Sequence, residues 1–348
     1  MEKFLGNELS FKTYSWLRVN DTEINLPQIL SNPYPMDSDT QQSIPVFEEK
    51  IYGIAPESVE LNKKYGNVYR LYKTKTGEER KEKVTFSLNG QSNQLLDTED
   101  LVAEEGSKLS VILDYSGEGA GKKFRSSLIR IWAKKNSEVH LFIVQNEDGE
   151  TFSLESVFAQ IEDRAKVYLH QYELGSKRFY SNFQGDLKGK TSELTIDSIY
   201  FGYDDHELNM LYNIVHYGEE SKSDIVVNGA LKDSSYKNFK STLDFKEGST
   251  FSVGSEEEFA LLLDDDVHAL SVPVLLAHED NVEGNHAASA GKLDQDLLFY
   301  IMSRGFSYED AENLMIESKF SGAIDRLEDE EIKEKIRNRV HGIIRKRQ

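Results

Sequence analysis

The 348 residues carry 41 Lys and Arg against 61 Asp and Glu, a formal charge of -20, with 38% hydrophobic and 29% charged side chains. A chain of this length and composition can bury a core, and no run of 18 apolar residues encodes a membrane-spanning helix. The acidic surplus opposes a nucleic-acid backbone, and the lack of any cysteine excludes disulfides, a thiol nucleophile and thiolate ligation by this chain.

The N-terminus, MEKFLGNELSFKTYSW, has neither a basic n-region nor a continuous apolar h-region, so a secretory signal is not expected and the cytoplasm is the expected compartment. Residues 1–82 form a mixed region: a short helix near the start, then NLPQILSNPYPMDSDTQQSIP, which holds four of the six prolines. Proline donates no backbone hydrogen bond and restricts its predecessor, so this stretch reads as an extended connector. KTKTGEERKEK, around residue 80, reads as a polar turn or linker.

From 83 to 291 the pattern changes to short apolar runs separated by Gly, Asp, Asn and Ser, among them Leu109 to Leu113, Leu128 to Trp132, Val139 to Val144, Leu194 to Phe201 and Phe259 to Leu263. β-Branched and aromatic residues dominate them, which predicts an all-β domain. Sandwich, barrel and solenoid all remain open on pattern. The scarcity of hairpin dipeptides, with Asn-Gly only at Asn89-Gly90 and Asn228-Gly229, favours a solenoid whose coils need not repeat in sequence.

Residues 292–348 predict a small helical domain. Asp294 caps a helix carrying Leu297, Leu298 and Ile301, and Gly305 ends it. Ser307 and Asp310 start a second helix with Ala311, Leu314 and Met315 on one face. A third begins in the acidic run Glu328 to Glu331, buries Ile332, Ile336, Val340 and Ile343, and ends in Arg345, Lys346 and Arg347, acid first and base last as the helix dipole favours. The apolar faces are too few for an independent core, so they are expected to pack on the β domain or a partner.

Residues 271–320 carry a long ordered run of matches: the Pro273 strand, Glu279-Asp280 followed by Val282, His286-Ala287-Ala288-Ser289, Leu293-Asp294, Leu298-Phe299-Tyr300, Ser303-Arg304-Gly305, and Glu309 to Leu314 leading to Phe320. This segment resembles the SufB/SufD family of iron–sulfur cluster assembly proteins. Gln171, His216, Gly254 and the Leu261 to Leu263 run are compatible upstream, so the resemblance spans about residues 100 to 325. HAASAGKLD at the histidine sits nearer SufD than SufB, and the absence of cysteine agrees.

The resemblance implies a right-handed parallel β-helix with a C-terminal helical domain. It implies pairing with a SufB-type subunit or with itself, and docking of a SufC-type ATPase that performs the nucleotide hydrolysis. The chain itself is then a non-catalytic scaffold that stably binds no cofactor alone, its cluster being assembled transiently in the complex. Consistent with this, no GxxxxGK[ST] occurs, and Gly117 to Gly121 reads as a turn.

The same resemblance singles out His286 as a candidate iron contact at the subunit interface; a neutral imidazole nitrogen suits iron. Many SufD sequences have a cysteine two residues earlier, where this chain has Gly284, so no thiolate can come from this side. The alternative role of His286 is to hydrogen-bond across coils and fix the interface. Phe299, Tyr300, Arg304 and Met315 are the candidate ATPase-docking residues, against the alternative of internal helix packing. His278, Glu279 and Asp280 read as a solvated acidic corner rather than a metal cluster, and His216 as an interior histidine. Asp264-Asp265-Asp266 and Asp204-Asp205 raise a carbohydrate-active β-helix enzyme as the reading from another class, because paired carboxylates do acid–base work; alternation along a strand makes an exposed turn the simpler account. A homodimeric ATPase platform that holds no cluster is the nearer alternative.

Overall fold

Two strands per coil, each bonded to its counterpart one coil later, organise the chain in a computed structural model that describes residues 3–29, 32–48 and 52–345. A short antiparallel pair, β1 (Lys3–Gly6) and β2 (Thr22–Asn25), comes first. One parallel sheet then contains β3 (Val68–Lys73), β5 (Gln94–Ala103), β7 (Lys123–Ala133), β9 (Thr151–Ile161), β11 (Arg178–Leu187), β13 (Glu207–His216), β15 (Tyr236–Phe245) and β17 (His268–Ala277), in that spatial order. The facing parallel sheet contains β4 (Glu79–Leu88), β6 (Lys108–Gly117), β8 (Glu138–Asn146), β10 (Lys166–Glu173), β12 (Glu193–Gly202), β14 (Lys222–Leu231), β16 (Val253–Leu262) and β18 (Glu283–Gly291). The expected β-helix is therefore observed as a solenoid built from two eight-stranded sheets.

Inward side chains such as Val111, Leu141, Leu169, Ile196, Ile225 and Phe245 fill the space between the sheets. Between consecutive strands the chain turns through a left-handed residue: Gly106, Asn136, Arg164, Thr191, Glu220 and Phe251 have φ between 53° and 69°. Such a conformation costs a non-glycine residue roughly 1–2 kcal/mol. Each of these N–H groups donates to a carbonyl of the next coil, at 2.6–3.1 Å, which offsets that cost with a ladder running along the corner. A small residue follows and is buried at each corner, at Ser107, Ser137, Ala165, Ser192, Ser221 and Ser252.

Three sequence expectations are corrected. The first residues form β1 and a 3-10 turn at Ser15–Leu17 instead of a short helix, because Phe4 is drawn into an apolar cluster with Leu96, Phe124 and Leu154 on the outer face of the sheet. Stacked strands begin at Val68, and the polar segment around residue 80 opens β4; its charge is accommodated because Lys81 pairs with Glu328 and Lys83 with Asp329 and Glu331. Asn228-Gly229, within its apolar run, lies inside β14, where a Cβ at Gly229 would sit 1.9 Å from the Tyr200 ring; glycine is there for close approach. Leu314 is exposed, while Ala311 and Met315 turn toward the core.

Two short helices, α1 (Pro45–Glu48) and α2 (Pro56–Tyr65), precede β3, and three follow the solenoid: α3 (Gln295–Ser303), α4 (Tyr308–Asp325) and α5 (Glu330–Arg345). Asp294 accepts hydrogen bonds from the Asp296 and Leu297 N–H groups, Ser307 from that of Asp310, and Gly305 ends α3 at φ 101°. Ile332, Ile336, Val340 and Ile343 of α5 and Ile316 and Phe320 of α4 pack on Phe142, Val144, Tyr172 and Phe201 of the β4–β18 sheet. Full burial of such a side chain stabilises by about 1.5–3 kcal/mol, so the helices are held on the solenoid as one body. The expected basic end of α5 is present at Arg345; Lys346 and Arg347 lie outside the described residues. No described helix is long and apolar enough to cross a membrane.

Candidate functional site

Among the described residues, β18 is bonded on one side only, to β16, and β17 only to β15. Both sheets thus present an unpaired strand edge at this end, whereas at the other end Ser38 and Asp39 bond along β3, the Asp39 N–H donating to the Tyr69 carbonyl. Along β18, residues 284, 286 and 288 share one face, and a Cβ at Gly284 would meet Leu275 and Phe245 side chains, which identifies that face as the interior. His286 therefore points into the last coil. Its register partner is Glu256, whose Oε2 lies 3.2 Å from His286 Nδ1, while Nε2 is 3.2 Å from the Val274 carbonyl and donates to it. Glu256 in turn accepts from Ser241 Oγ at 2.5 Å.

The His286 side chain is 15% exposed and that of Glu256 only 3%. Burial disfavours the imidazolium, but the carboxylate outweighs it and holds the His286 pKa above the ordinary 6.5. The ring is oriented at one nitrogen by a carbonyl and biased at the other by a carboxylate, so losing its proton frees Nδ1 beside an anionic oxygen. Glu256 is the residue that sequence reasoning missed. Its signal was present in the Ser255-Glu256-Glu257-Glu258 run: alternation must turn some of these acids inward.

His216 is placed as expected. Its ring nitrogens contact Ser221 and Ser223 at 2.8 and 2.9 Å and it stacks on Phe245, and burial pushes its pKa down to about 3, so it is a neutral interior histidine. His278 lies in the exposed turn after β17, 3.7 Å from Asp244, and Glu279 accepts from the Gly248 N–H. Neither approaches His286 as a cluster; among the described residues no group of three or more His, Cys, Asp and Glu could hold a metal ion. Asp264 to Asp266 form an exposed turn, with Asp265 paired to Lys292 and Asp264 accepting from the Asp233 N–H. The glycines at 119 and 121 direct their carbonyls at Lys123 Nζ, the opposite polarity to a phosphate cradle.

A polar seam also runs inside the solenoid. Arg125 is wholly buried, donating to Glu147 at 2.9 Å and Glu155 at 3.0 Å; Glu155 accepts from Gln171, which accepts from Tyr212. Nearer the open end Lys237 pairs with Glu258, which also accepts from Ser271 and Tyr200. Of this seam the sequence pointed only to Gln171. Charged residues within apolar runs read as outward-facing until the partner strand is known.

On the helices, Phe299 is 74% exposed and Tyr300 54%. The Arg304 guanidinium lies 5.0 Å from the Tyr300 ring centroid and donates to its hydroxyl at 3.1 Å, so its side chain serves a surface patch, with Leu297, Met302 and Phe306 also exposed nearby in sequence. Met315 is separate from that patch, partly buried against the apolar cluster between helices and sheet.

A family model described as "SUF system FeS cluster assembly, SufBD core domain" matches residues 86–319. The iron–sulfur cluster assembly protein SufD of Bacillus subtilis is 32% identical over 128 residues, covering 37% of this chain and 29% of that protein. A SufBD family protein of Methanothermobacter thermautotrophicus is 27% identical over 220 residues, 62% of this chain and 53% of its own. A SufBD family protein of Staphylococcus saprophyticus is 21% identical over 232 residues, 66% of this chain and 50% of its own. The chain thus spans about half the length, or less, of these relatives.

Proposed function

The chain belongs to the SufBD core family of SUF-system iron–sulfur cluster assembly proteins, and we propose that it is a SufD-like scaffold subunit that pairs at its open end with a SufB-type chain and docks a SufC-type ATPase on its helices. The observation that carries this is the position of His286: inside the last coil, partly exposed, at the end where both sheets have an unpaired edge. Unpaired strand edges are templates for another chain. A ligand-capable ring at such an edge can meet groups supplied by the partner, and the lack of cysteine assigns the sulfur ligands to that partner. The cluster is cargo in this reading, built at the junction and passed on, and the chain performs no catalysis of its own. ATP hydrolysis belongs to the docked ATPase, whose contact would be the Phe299, Tyr300 and Arg304 patch.

Co-expression with a SufB-type and a SufC-type protein tests the proposal. The chain should co-elute with both. Phe299→Ala with Tyr300→Ala should release the ATPase while leaving the SufB-type partner bound; these side chains are exposed, so the substitutions avoid stripping helices from the sheet. His286→Ala should leave the complex intact and lower its iron content. Full iron recovery in an intact His286→Ala complex would reduce that residue to an interface hydrogen bond, and a chain that elutes alone would end the scaffold reading.

A further inference from the structure

Leading from β1 to β2, the chain makes an excursion along the solenoid axis. Phe4 packs with Leu96, Phe124, Leu154 and Tyr180, on β5 to β11. Asn7 lies further on: its amide donates to the Ser181 and Asn209 carbonyls on β11 and β13, and its own carbonyl accepts from Lys240 Nζ on β15 at 2.7 Å. Leu9 and Val19 come next, packing with Leu211 and with Leu270, Val272 and Val274 of β17, the last strand of the sheet. The excursion is closed at its base by the Leu9 N–H on the Asn20 carbonyl and by Asn20 side-chain bonds to Thr13. Strands step by about 4.8 Å, so an arm that progresses in this direction and reaches β17 by residue 9 has its tip, residues 10–18, at the open end.

That tip is apolar where it should be polar. Tyr14 and Trp16 are 74% and 73% exposed and stacked on one another, and Phe11 and Leu17 are exposed beside them. Its exposed cations are Arg18 and Lys12, the latter paired with Glu8 at the base of the arm, in a chain of net charge -20. The terminal coil is more acidic, with Asp264, Asp266, Asp280 and Glu283 exposed around its turns and Asp265 paired with Lys292. Exposed Trp, Tyr and Arg are the residues that dominate binding interfaces, and a base anchored by a fully buried asparagine lowers the ordering cost of using them.

We propose that this tip is a clasp: when two copies of this chain meet at their open ends, the aromatic, basic tip of each closes over the acidic rim of the other's terminal coil. The inference rests on end-to-end pairing as read above, extended to a second copy, whose terminal rim has the charge that the tip lacks.

The purified chain alone provides the test. Tyr14→Ala with Trp16→Ala should weaken self-association in analytical ultracentrifugation at least roughly tenfold, the loss expected of an aromatic hot spot, with an unchanged melting temperature because both side chains are solvent-exposed. Since the sequence has no cysteine, Trp16→Cys can carry a single benzophenone label. Irradiation of a mixture of light and isotope-labelled chains should give cross-links between copies, mapping near residues 264–283. A chain that stays monomeric overturns the clasp. So does a dimer whose affinity ignores the double substitution and whose cross-links stay within one copy; in that case pairing survives and the clasp does not. Co-elution with a SufB-type subunit reports on the functional reading separately.

Discussion

His286 and His216 are both interior histidines of the same fold, yet their surroundings drive them in opposite directions. For His286 burial is outweighed by the Glu256 carboxylate, and its pKa stands above 6.5. A raised folded value means that the pair's contribution to stability is present below the unfolded pKa and is lost as pH rises through the folded one. Glu256→Gln keeps the shape and removes the charge, so burial, the largest influence on the ring, should then outweigh the remaining bond to the Val274 carbonyl. We expect the imidazole NMR titration of His286 to move from above 6.5 to below it; an unmoved midpoint would show that Glu256 does not set the ring's protonation.

His216 meets hydroxyls, not a carboxylate, at both ring nitrogens, and burial pushes its value down to about 3. A depressed value gives stability present above 6.5 and lost as pH falls toward 3. His170, at about 3, and His206, at about 4, add in the same direction. His216→Gln should therefore show a smaller drop in melting temperature between pH 7 and pH 5 than the wild-type chain, whatever its stability at pH 7. An equal drop would mean that His216 does not titrate on unfolding.

At the scale of elements, the corners and close approaches decide which runs can stack. Gly229 sits under the Tyr200 ring, and Tyr200 is itself fully buried and bonded to Glu258. Gly229→Ala should destabilise by about 1–3 kcal/mol, the usual cost of overpacking, read from the denaturant midpoint at constant slope; no shift would mean that Tyr200 has room to move. The helices give a complementary measure. Ile336 on α5 is 1% exposed against the β4–β18 sheet, so Ile336→Ala should cost about 2–5 kcal/mol. If α5 melts separately from the strands in that variant, helices and solenoid are not the single cooperative body their shared apolar cluster indicates.

On the scale of the whole molecule, the interior changes character along the axis. Between the sheets it is apolar, with a polar seam of Arg125, Glu147, Glu155 and Gln171 and a second cluster of Lys237, Glu258 and Ser271 toward the end. Breaking such a buried charge group costs more than the group contributes, because the remaining partner stays desolvated and unpaired. The terminal coil is less well covered: Leu275, an inward neighbour of Gly284, is still 44% exposed. An uncapped end with two free strand edges is the feature that both the pairing proposal and the arm-tip clasp explain.

The amino-acid order by itself determined the local facts. Runs of β-branched and aromatic residues marked β6, β7, β8 and β12; Asp294, Ser307 and Gly305 marked the helix ends; the run from Pro273 to Phe320 marked the family. Each of these depends on residues that are neighbours in the chain, where propensity, capping and motif can be read directly. Only the tertiary structure decided that Glu256 faces His286, that Arg125 is buried among carboxylates, that residue 80 opens a strand and that Asn7 carries an arm toward the last coil. Those contacts join residues one or more coils apart. Even the repeat was hidden this way: the buried corner positions 107, 137, 165, 192, 221 and 252 recur with nearly even spacing, but a serine, an alanine and a left-handed residue of any type all satisfy a corner whose hydrogen bond is supplied by the backbone of the next coil.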